Sequence, residues 1–290
     1  MSAELALRFN AEVGEGPLWD SDTQELIFID VTQGGIHRFS LANQGLTSLQ
    51  IGMHIGAVGL MDSDHFIAAV RDGFATINRS TGEINYVKKV LFDQGIRFND
   101  GKCDPFGNFL AGTMRYEPKM GTAQLYSLDS SGVVKSLLTG VGLSNGLTWD
   151  ASGRKLFYID TLTREIAEFQ YDQDLGIVGE RRVLYEFPED SGSPDGMTID
   201  TEGNLWVALW GGSRVVRISP TGELISELRL PVSQPTSVIF GGRNLDKLFI
   251  TSARYGLSEA TLADEPLAGS VFVLDIGVSG REEAKFKLAR

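Results

Sequence analysis

The sequence predicts an all-β protein, a six-bladed β-propeller of four-stranded antiparallel blades that forms a single domain over residues 1–290. Three observations lead to this prediction. A short motif that ends in an Asp turn recurs about every 40–50 residues, which is the repeat length of propeller blades,. A run of apolar, β-branched and aromatic residues follows each copy of the motif,. Helical periodicity is nearly absent, and only residues 258–263 favour a short helical turn,.

The repeated motif is clearest at residues 193–200, Ser-Pro-Asp-Gly-Met-Thr-Ile-Asp, followed by Thr-Glu-Gly-Asn and a strand-like run at 205–209. Segments such as 215–218 and 224–228 then predict the third and fourth strands of a blade,. The turn residue is aspartate in five copies and glycine in the sixth: Asp20, Asp62, Asp104, Asp150, Asp200 and Gly241. Six such units account for the whole chain.

The sixth unit lacks a regular fourth strand of its own. Residues 5–9, Leu-Ala-Leu-Arg-Phe, alternate as a strand should and precede the first unit. We therefore expect them to complete the sixth blade, which closes the ring and covers an exposed sheet edge. The alternative architecture is two packed β-sandwich domains, but the repeats run through the middle of the chain without a linker.

Charge and composition exclude several classes of function. A formal net charge of −12 argues against a nucleic-acid partner, because binding phosphates needs a basic surface,. No apolar run approaches the ~20 residues of a membrane span, and no basic segment followed by an apolar core marks a signal peptide. The one cysteine, Cys103, excludes a disulfide framework,. We expect a cytoplasmic protein without a membrane partner, and a monomer, because a closed ring exposes no adhesive edge.

Polar residues recur five positions before the turn residue. If each motif opens the inner strand of a blade, these positions form a ring at one mouth of the central channel: Glu15, Ala57, Asn99, Asn145, Asp195 and Thr236. Four of them offer carboxylate or amide oxygens, which are costly to bring together unless a cation or water satisfies them. Asn and Asp also form turns before glycine, and this structural role competes with the functional one. It does not explain Glu15, because glutamate is a poor turn residue.

Oxygen ligands suit a hard divalent ion such as calcium, magnesium or manganese, and carboxylates alone also hold zinc. Calcium is the ion that we expect. The three histidines, His37, His54 and His65, fall in or beside blade strands away from the ring positions, and we expect them to be surface or packing residues.

Two other patterns are coincidental. Ser144 fits the spacing of a nucleophile elbow, but a strand follows it where that motif needs a helix,. Asp172 opens a segment like a calcium-binding loop, but its twelfth position is Val183, where a bidentate Glu is required,.

Several motifs resemble the regucalcin/gluconolactonase family, in the family's order and over nearly the whole chain. They are Gly14-Glu-Gly-Pro-Leu-Trp19, Arg97-Phe-Asn-Asp-Gly-Lys102, Ala111-Gly-Thr-Met114, Ser144-Asn-Gly-Leu147, Pro194-Asp-Gly-Met197 and Phe240-Gly-Gly-Arg243. The resemblance implies a six-bladed propeller that binds one divalent metal and hydrolyses sugar lactones. It implies metal ligands at Glu15, Asn145 and Asp195, with Asp195 as the acid/base residue, and substrate contacts at Arg97, Asn99 and Glu117.

The function that we expect is metal-dependent opening of an aldono- or aldaro-lactone to the sugar acid. The ion polarises the lactone or its water, and Asp195 is the general acid/base. The rival is a non-catalytic, calcium-binding regulatory propeller, which has no use for a substrate pocket. A related esterase would show an apolar mouth, whereas the loops around this ring carry Arg71, Arg115, Glu117 and Arg254. These suit a polyhydroxylated or acidic substrate, and Arg115 beside Glu117 suggests a substrate carboxylate.

Overall fold

A computed structural model describes residues 3–289 and confirms the all-β six-bladed propeller. The described residues form six four-stranded sheets in which neighbouring strands are antiparallel. The N-terminal strand is β1 (Glu4–Leu7). Blade one is β2 (Gly14–Asp20), β3 (Glu25–Asp30), β4 (Gly35–Ser40) and β5 (Leu46–Gln50). Blade two is β6 (Ile55–Leu60), β7 (His65–Val70), β8 (Gly73–Asn78) and β9 (Ile84–Lys89).

The next two blades follow the same order along the chain. Blade three is β10 (Ile96–Cys103), β11 (Phe109–Arg115), β12 (Ala123–Leu128) and β13 (Val134–Val141). Blade four is β14 (Ser144–Trp149), β15 (Lys155–Asp160), β16 (Glu165–Asp172) and β17 (Gly176–Glu186). A 3-10 turn, Thr161–Thr163, joins β15 to β16.

Blade five is β18 (Ser193–Ile199), β19 (Leu205–Trp210), β20 (Arg214–Ile218) and β21 (Leu224–Arg229), after a 3-10 turn at Glu189–Ser191. Blade six contains β22 (Pro235–Gly241), β23 (Lys247–Ser252) and β24 (Val271–Asp275). The predicted helical turn is α1 (Glu259–Asp264). In residues 3–289 no helix is long and apolar enough to cross a membrane.

The sixth blade is completed by β1, as the sequence predicts. This strand pairs with β24, and Glu4 lies opposite Val273 and Leu5 opposite Phe272. The pairing ends at Leu7, before the end of the predicted segment. The reason is local, because the Phe9 amide and carbonyl bond to the Ser270 hydroxyl at 3.2 and 3.0 Å and are diverted from the ladder.

In five blades an aspartate holds the turn that ends the inner strand, and in blade six Gly241 takes that position. Oδ1 of Asp200 accepts hydrogen bonds from the amides of Glu202 and Asn204 at 3.0 and 2.9 Å. Oδ1 of Asp104 likewise accepts from Phe106 and Asn108. Such Asx geometry satisfies amides that the ladder leaves free. These turns lie at the lower mouth of the channel, and the inner strands begin at the opposite, upper mouth.

Each inner strand carries an irregularity near its upper end. In all six blades the pairing between the first and second strands shifts register at or beside the ring position, for example between Glu15 and Leu18 and between Pro194 and Met197. A β-bulge breaks the regular alternation of side chains. The repeated bulge therefore re-aims the ring side chains at the same level of each inner strand.

The segment after β24, residues 276–289, crosses the lower face. Phe286 is 2 % exposed and joins the core cluster of blades two and three, and its amide donates to the Leu60 carbonyl at 2.7 Å. The Lys287 amide donates to Gly107 at 3.1 Å. Glu283, in the same segment, lines a small cavity inside the channel. This segment, which we call the C-terminal strap, thus closes the channel from below.

Candidate functional site

Two amides of the ring are fixed in one hydrogen-bond chain. Nδ2 of Asn99 donates to the Ser144 carbonyl at 2.8 Å and to Oδ1 of Asn145 at 3.3 Å. Nδ2 of Asn145 donates to the Thr161 hydroxyl at 2.9 Å, which donates onward to the Pro194 carbonyl at 2.8 Å. The chain links blades three, four and five, so that both amides are held at the channel without a bound ligand.

Two carboxyl groups, Glu15 and Asp195, meet on the other side of the ring. Oε2 of Glu15 accepts the Gly16 amide at 2.8 Å, and the negative charge of Glu15 acts on Asp195. Burial, followed by the negative charge of Asp100, raises the pKa of Glu15 to about 8. Burial and then the charges of Glu15 and Asp100 raise the pKa of Asp195 well above its usual range. The pair is therefore destabilised in its doubly ionised form unless positive charge is added.

Asp100 is a third carboxyl group that the sequence reasoning missed. It lies in the bulge after Asn99, is 9 % exposed, and accepts the Gly101 amide at 2.6 Å. Burial raises its pKa to about 6, although the positive charge of Lys102 opposes the shift. Asp100 lines a cavity of about 20 Å³ together with Lys102 and Glu283. Since a regular strand would turn it from the channel, only knowledge of the bulge could have identified it.

Arg97 is a buried cation above the ring. It is 9 % exposed, and its Nη1 donates to the Phe98 carbonyl at 2.8 Å and to Oδ1 of Asn99 at 2.9 Å. Burial lowers its pKa, against the attraction of Tyr116, Glu15, Tyr255 and Asp195. Arg97 thus orients Asn99 and turns positive charge toward the two carboxyl groups without forming an ion pair with either.

The remaining ring positions are structural. The Thr236 hydroxyl donates to the Gly14 carbonyl at 2.5 Å and bonds to the Thr251 hydroxyl at 2.8 Å, so it ties blade six to blade one. Ala57 belongs to the apolar core of blades two and three. Four ring positions therefore remain as candidates for ligand contact, Glu15, Asn99, Asn145 and Asp195.

Two residues of the upper mouth lie in connections outside the inner strands. Glu117 is exposed in the loop between β11 and β12, and no hydrogen bond joins it to the ring in the described residues. His54, which we expected away from the site, precedes β6 at this mouth, and its Nδ1 lies 2.9 Å from the Tyr116 hydroxyl. Burial, followed by the positive charges of Arg97 and Arg71, lowers the pKa of its imidazole. A regular strand pattern cannot show this, because His54 stands in a connection between blades.

Side chains other than the ring follow their expected structural roles. Ser144 is fully buried and accepts a hydrogen bond from Tyr158 at 2.7 Å. Oδ1 of Asp172 accepts from the amides of Asp174 and Leu175, which forms the hairpin turn between β16 and β17. His37 is buried and bonds to Ser48, at 2.8 Å.

The oxygen donors of the ring decide which metal ions it could hold. Within residues 3–289 no set of three or more His, Cys, Asp or Glu side chains is placed to hold a metal ion. A cation between Glu15 and Asp195 would therefore need amide oxygen as well. Oδ1 of Asn145 accepts one hydrogen bond and has a second lone pair,. In the described residues neither carboxylate has a basic nitrogen within 4.0 Å, so the donor set fits a divalent cation.

Comparison with known proteins agrees with this architecture. Residues 13–254 match the family model described as SMP-30/Gluconolactonase/LRE-like region. The chain is 35% identical over 288 residues to the Bacillus subtilis (strain 168) protein named "Putative sugar lactone lactonase YvrE", with 99% of each covered. It is 37% identical over 284 residues to regucalcin of Danio rerio, covering 97% of this chain and 96% of the relative.

A solved structure shows the same fold. The calcium-binding protein regucalcin of Agrobacterium tumefaciens str. C58 superposes with a TM-score of 0.95 at 25% sequence identity. The match covers 99% of this chain and 98% of the other. The arrangement of blades is therefore shared along the whole length of both chains.

Proposed function

The chain belongs to the SMP-30/gluconolactonase/LRE-like family, and from this premise we propose that it hydrolyses a sugar lactone to the sugar acid with one divalent cation. One observation carries the proposal. Glu15 and Asp195 are held together at the upper mouth without a basic partner, below the buried cation Arg97. Such an arrangement lowers stability, and proteins retain it where it serves a site.

The residues proposed to hold the cation are Glu15, Asn145 and Asp195. A bound divalent ion would supply the positive charge that this pair lacks and would polarise the lactone carbonyl. Calcium is the proposed ion, supported by the name of the Agrobacterium relative, and zinc, manganese and magnesium are the alternatives,.

Asp195 is proposed to move the proton. A water molecule attacks the lactone carbonyl carbon, and an oxygen of the Asp195 carboxylate accepts the proton that the water releases. When the bond between the carbonyl carbon and the ring oxygen breaks, the same proton passes to the ring oxygen, which leaves as a hydroxyl. The ionised form of Asp195 is required for the first step. Burial and the charges of Glu15 and Asp100 raise its pKa and oppose that form, the charge of Arg97 partly offsets them, and a bound cation would favour it,.

The proposed substrate contacts lie above this pair. The Asn99 amide and the Arg97 guanidinium are fixed to each other at 2.9 Å, so Arg97 would present its other donors, and Asn99 its oxygen, in a set geometry,. Glu117, exposed in the neighbouring loop, would accept hydrogen bonds from sugar hydroxyls. We propose a small-molecule partner only, in a monomeric cytoplasmic protein.

A lactone panel tests the function. The protein is stripped with EDTA, calcium, zinc, manganese or magnesium is added back, and opening of aldono- and aldaro-lactones is followed by proton release. We expect metal-dependent turnover that Asp195→Ala abolishes while the thermal unfolding transition remains cooperative. Asp174→Ala, which removes an exposed carboxylate in the lower turn between β16 and β17, is the matched control and should keep wild-type turnover.

The same assay separates the rival function. The relatives named regucalcin favour a protein that only binds calcium. Calcium binding with no turnover on any lactone would establish that reading, and full turnover by Asp195→Ala would remove Asp195 from the mechanism.

A further inference from the structure

The upper rim over blades two and three carries three arginines and a histidine. His54 precedes β6, Arg71 follows β7, Arg97 lies in β10, and Arg115 ends β11. All four are on the side where the inner strands begin. On a chain of formal net charge −12, a local excess of positive charge needs an explanation,.

Arg115 is not part of that excess. Its Nη1 lies 3.0 Å from Oδ2 of Asp93, whose other oxygen accepts the Gly95 amide at 2.8 Å. The guanidinium is thus paired with a carboxylate from the connection between β9 and β10. The expectation that Arg115 reads a substrate carboxylate therefore gains no support from its contacts.

Arg71 and Arg97 have no such partner. Among residues 3–289, neither has a carboxylate within 4.0 Å. Nη2 of Arg71 donates to the neutral Oε1 of Gln94 at 2.5 Å, and Arg97 donates only to neutral oxygens. The acid next to Arg71 in sequence, Asp72, is bound by Lys89 at 2.8 Å and by Tyr86 at 2.6 Å.

The positive charges of Arg71 and Arg97 also act on the imidazole of His54. Burial lowers the pKa of this imidazole, and the charges of Arg97 and Arg71 lower it further. His54 also faces the Tyr116 hydroxyl at 2.9 Å. Arg71 and Arg97 thus place positive charge without a carboxylate partner on the same part of the rim as His54.

We propose that the sugar lactone carries an anionic group, a carboxylate or a phosphate, which binds at the rim between Arg71 and His54 with Arg97 beneath it. This inference rests on the proposed lactonase function and adds the substrate class. A guanidinium binds either anion with charge-assisted, often bidentate hydrogen bonds. The anion would supply the negatively charged acceptor that the described residues do not place beside Arg71 and Arg97.

Kinetics on three lactones test the proposal. They are a neutral aldonolactone, an aldaric acid monolactone with a free carboxylate, and an aldonolactone phosphate. We expect one of the anionic substrates to have a kcat/KM about tenfold or more above the neutral one. Arg71→Gln should reduce that ratio by about 10- to 100-fold, mainly through KM, as loss of a charged hydrogen bond predicts. Arg243→Gln, an exposed arginine beside the lower turn of blade six, is the control and should leave the ratio unchanged.

The outcomes are distinct. A carboxylate or a phosphate preference identifies the anion. Preference for the neutral lactone, or an equal loss on all three substrates in Arg71→Gln, overturns the anionic class and leaves the lactonase function intact.

A binding measurement covers the case in which no lactone turns over, so that the proposed function fails. Glucuronate, glucose 6-phosphate and neutral glucose are titrated calorimetrically into the EDTA-treated protein. Tighter binding of one of the two anions than of glucose, lost in Arg71→Gln, would support the anion site alone, and equal binding of all three would refute it.

Discussion

Gly146 sets the contact between blades four and five at the candidate site. Its backbone has a negative φ, so alanine is conformationally acceptable. A Cβ added there would lie 2.7 Å from the Asp195 carbonyl oxygen and 2.7 Å from the Met197 amide nitrogen. Both atoms are backbone and cannot rotate away. The inner strands must therefore separate, and Asn145 and Asp195 must move apart with them.

Overpacking of this kind costs about 1–3 kcal/mol of unfolding free energy. A displacement near 1 Å at a reacting group costs about 100-fold in rate. We expect Gly146→Ala to show both losses, measured by urea unfolding and by kcat/KM on the best lactone of the panel. The matched control is Gly45→Ala, where the new Cβ meets only the exposed Asn43 side chain, and the change should stay within about 0.5 kcal/mol,. Unfolding free energy and kcat/KM both at wild-type values in Gly146→Ala would refute the reasoning.

Two further predictions concern stability. Phe286→Ala should lower the unfolding free energy measured in urea by about 3–5 kcal/mol, because it empties a buried site under the channel,. Lys285 beside it is exposed, so Lys285→Ala should change little. A loss below about 1 kcal/mol in Phe286→Ala would show that the C-terminal strap is not part of the core. Arg79→Met should cost about 3–5 kcal/mol at pH 7, because it leaves the buried Asp20 unpaired,.

The pH dependence of the ion pair between Asp20 and Arg79 follows from the direction in which the pKa of Asp20 is shifted. Burial alone would raise the pKa of Asp20, but the hydrogen bond and charge of Arg79 hold it below its usual range. The pair therefore stabilises the fold above about pH 4, the unfolded value, and this contribution is lost as the pH falls through the folded pKa. The loss of unfolding free energy caused by Arg79→Met should become smaller in the same acid range. A loss that does not change with pH would contradict this assignment.

The fold was accessible from the sequence because its signals are local and repeated. An Asp turn needs only the aspartate and the amides two to four residues later, as at Asp104 and Asp200. Each copy is weak, but six in phase define a propeller. Closure by β1 was predictable for the same reason, since one blade lacked a strand.

The site was less accessible, because its details depend on contacts between blades. In the sequence, the Asn145-Gly146 and Asp195-Gly196 pairs are also compatible with turns. In the structure Gly146 and Gly196 do not have positive φ, and they lie where inner strands approach closely. No sequence pattern marks the bulge that brings Asp100 into the channel. The position of His54 depends on the neighbouring blade through Tyr116. None of these contacts can be inferred from the period of the repeat.

The pairing of β1 with β24 also dictates an order of events during synthesis. β1 leaves the ribosome long before its partner, since Glu4 must wait for Val273. Until the two strands pair, the chain carries an unpaired β1 and, once β24 has been made, an open edge on β24 as well. Adjacent chains on the same messenger RNA present the same two edges, so exchange of β1 between them would give a strand-swapped dimer. Slow closure of so distant a contact makes this the stage at which the protein is most exposed to misassembly.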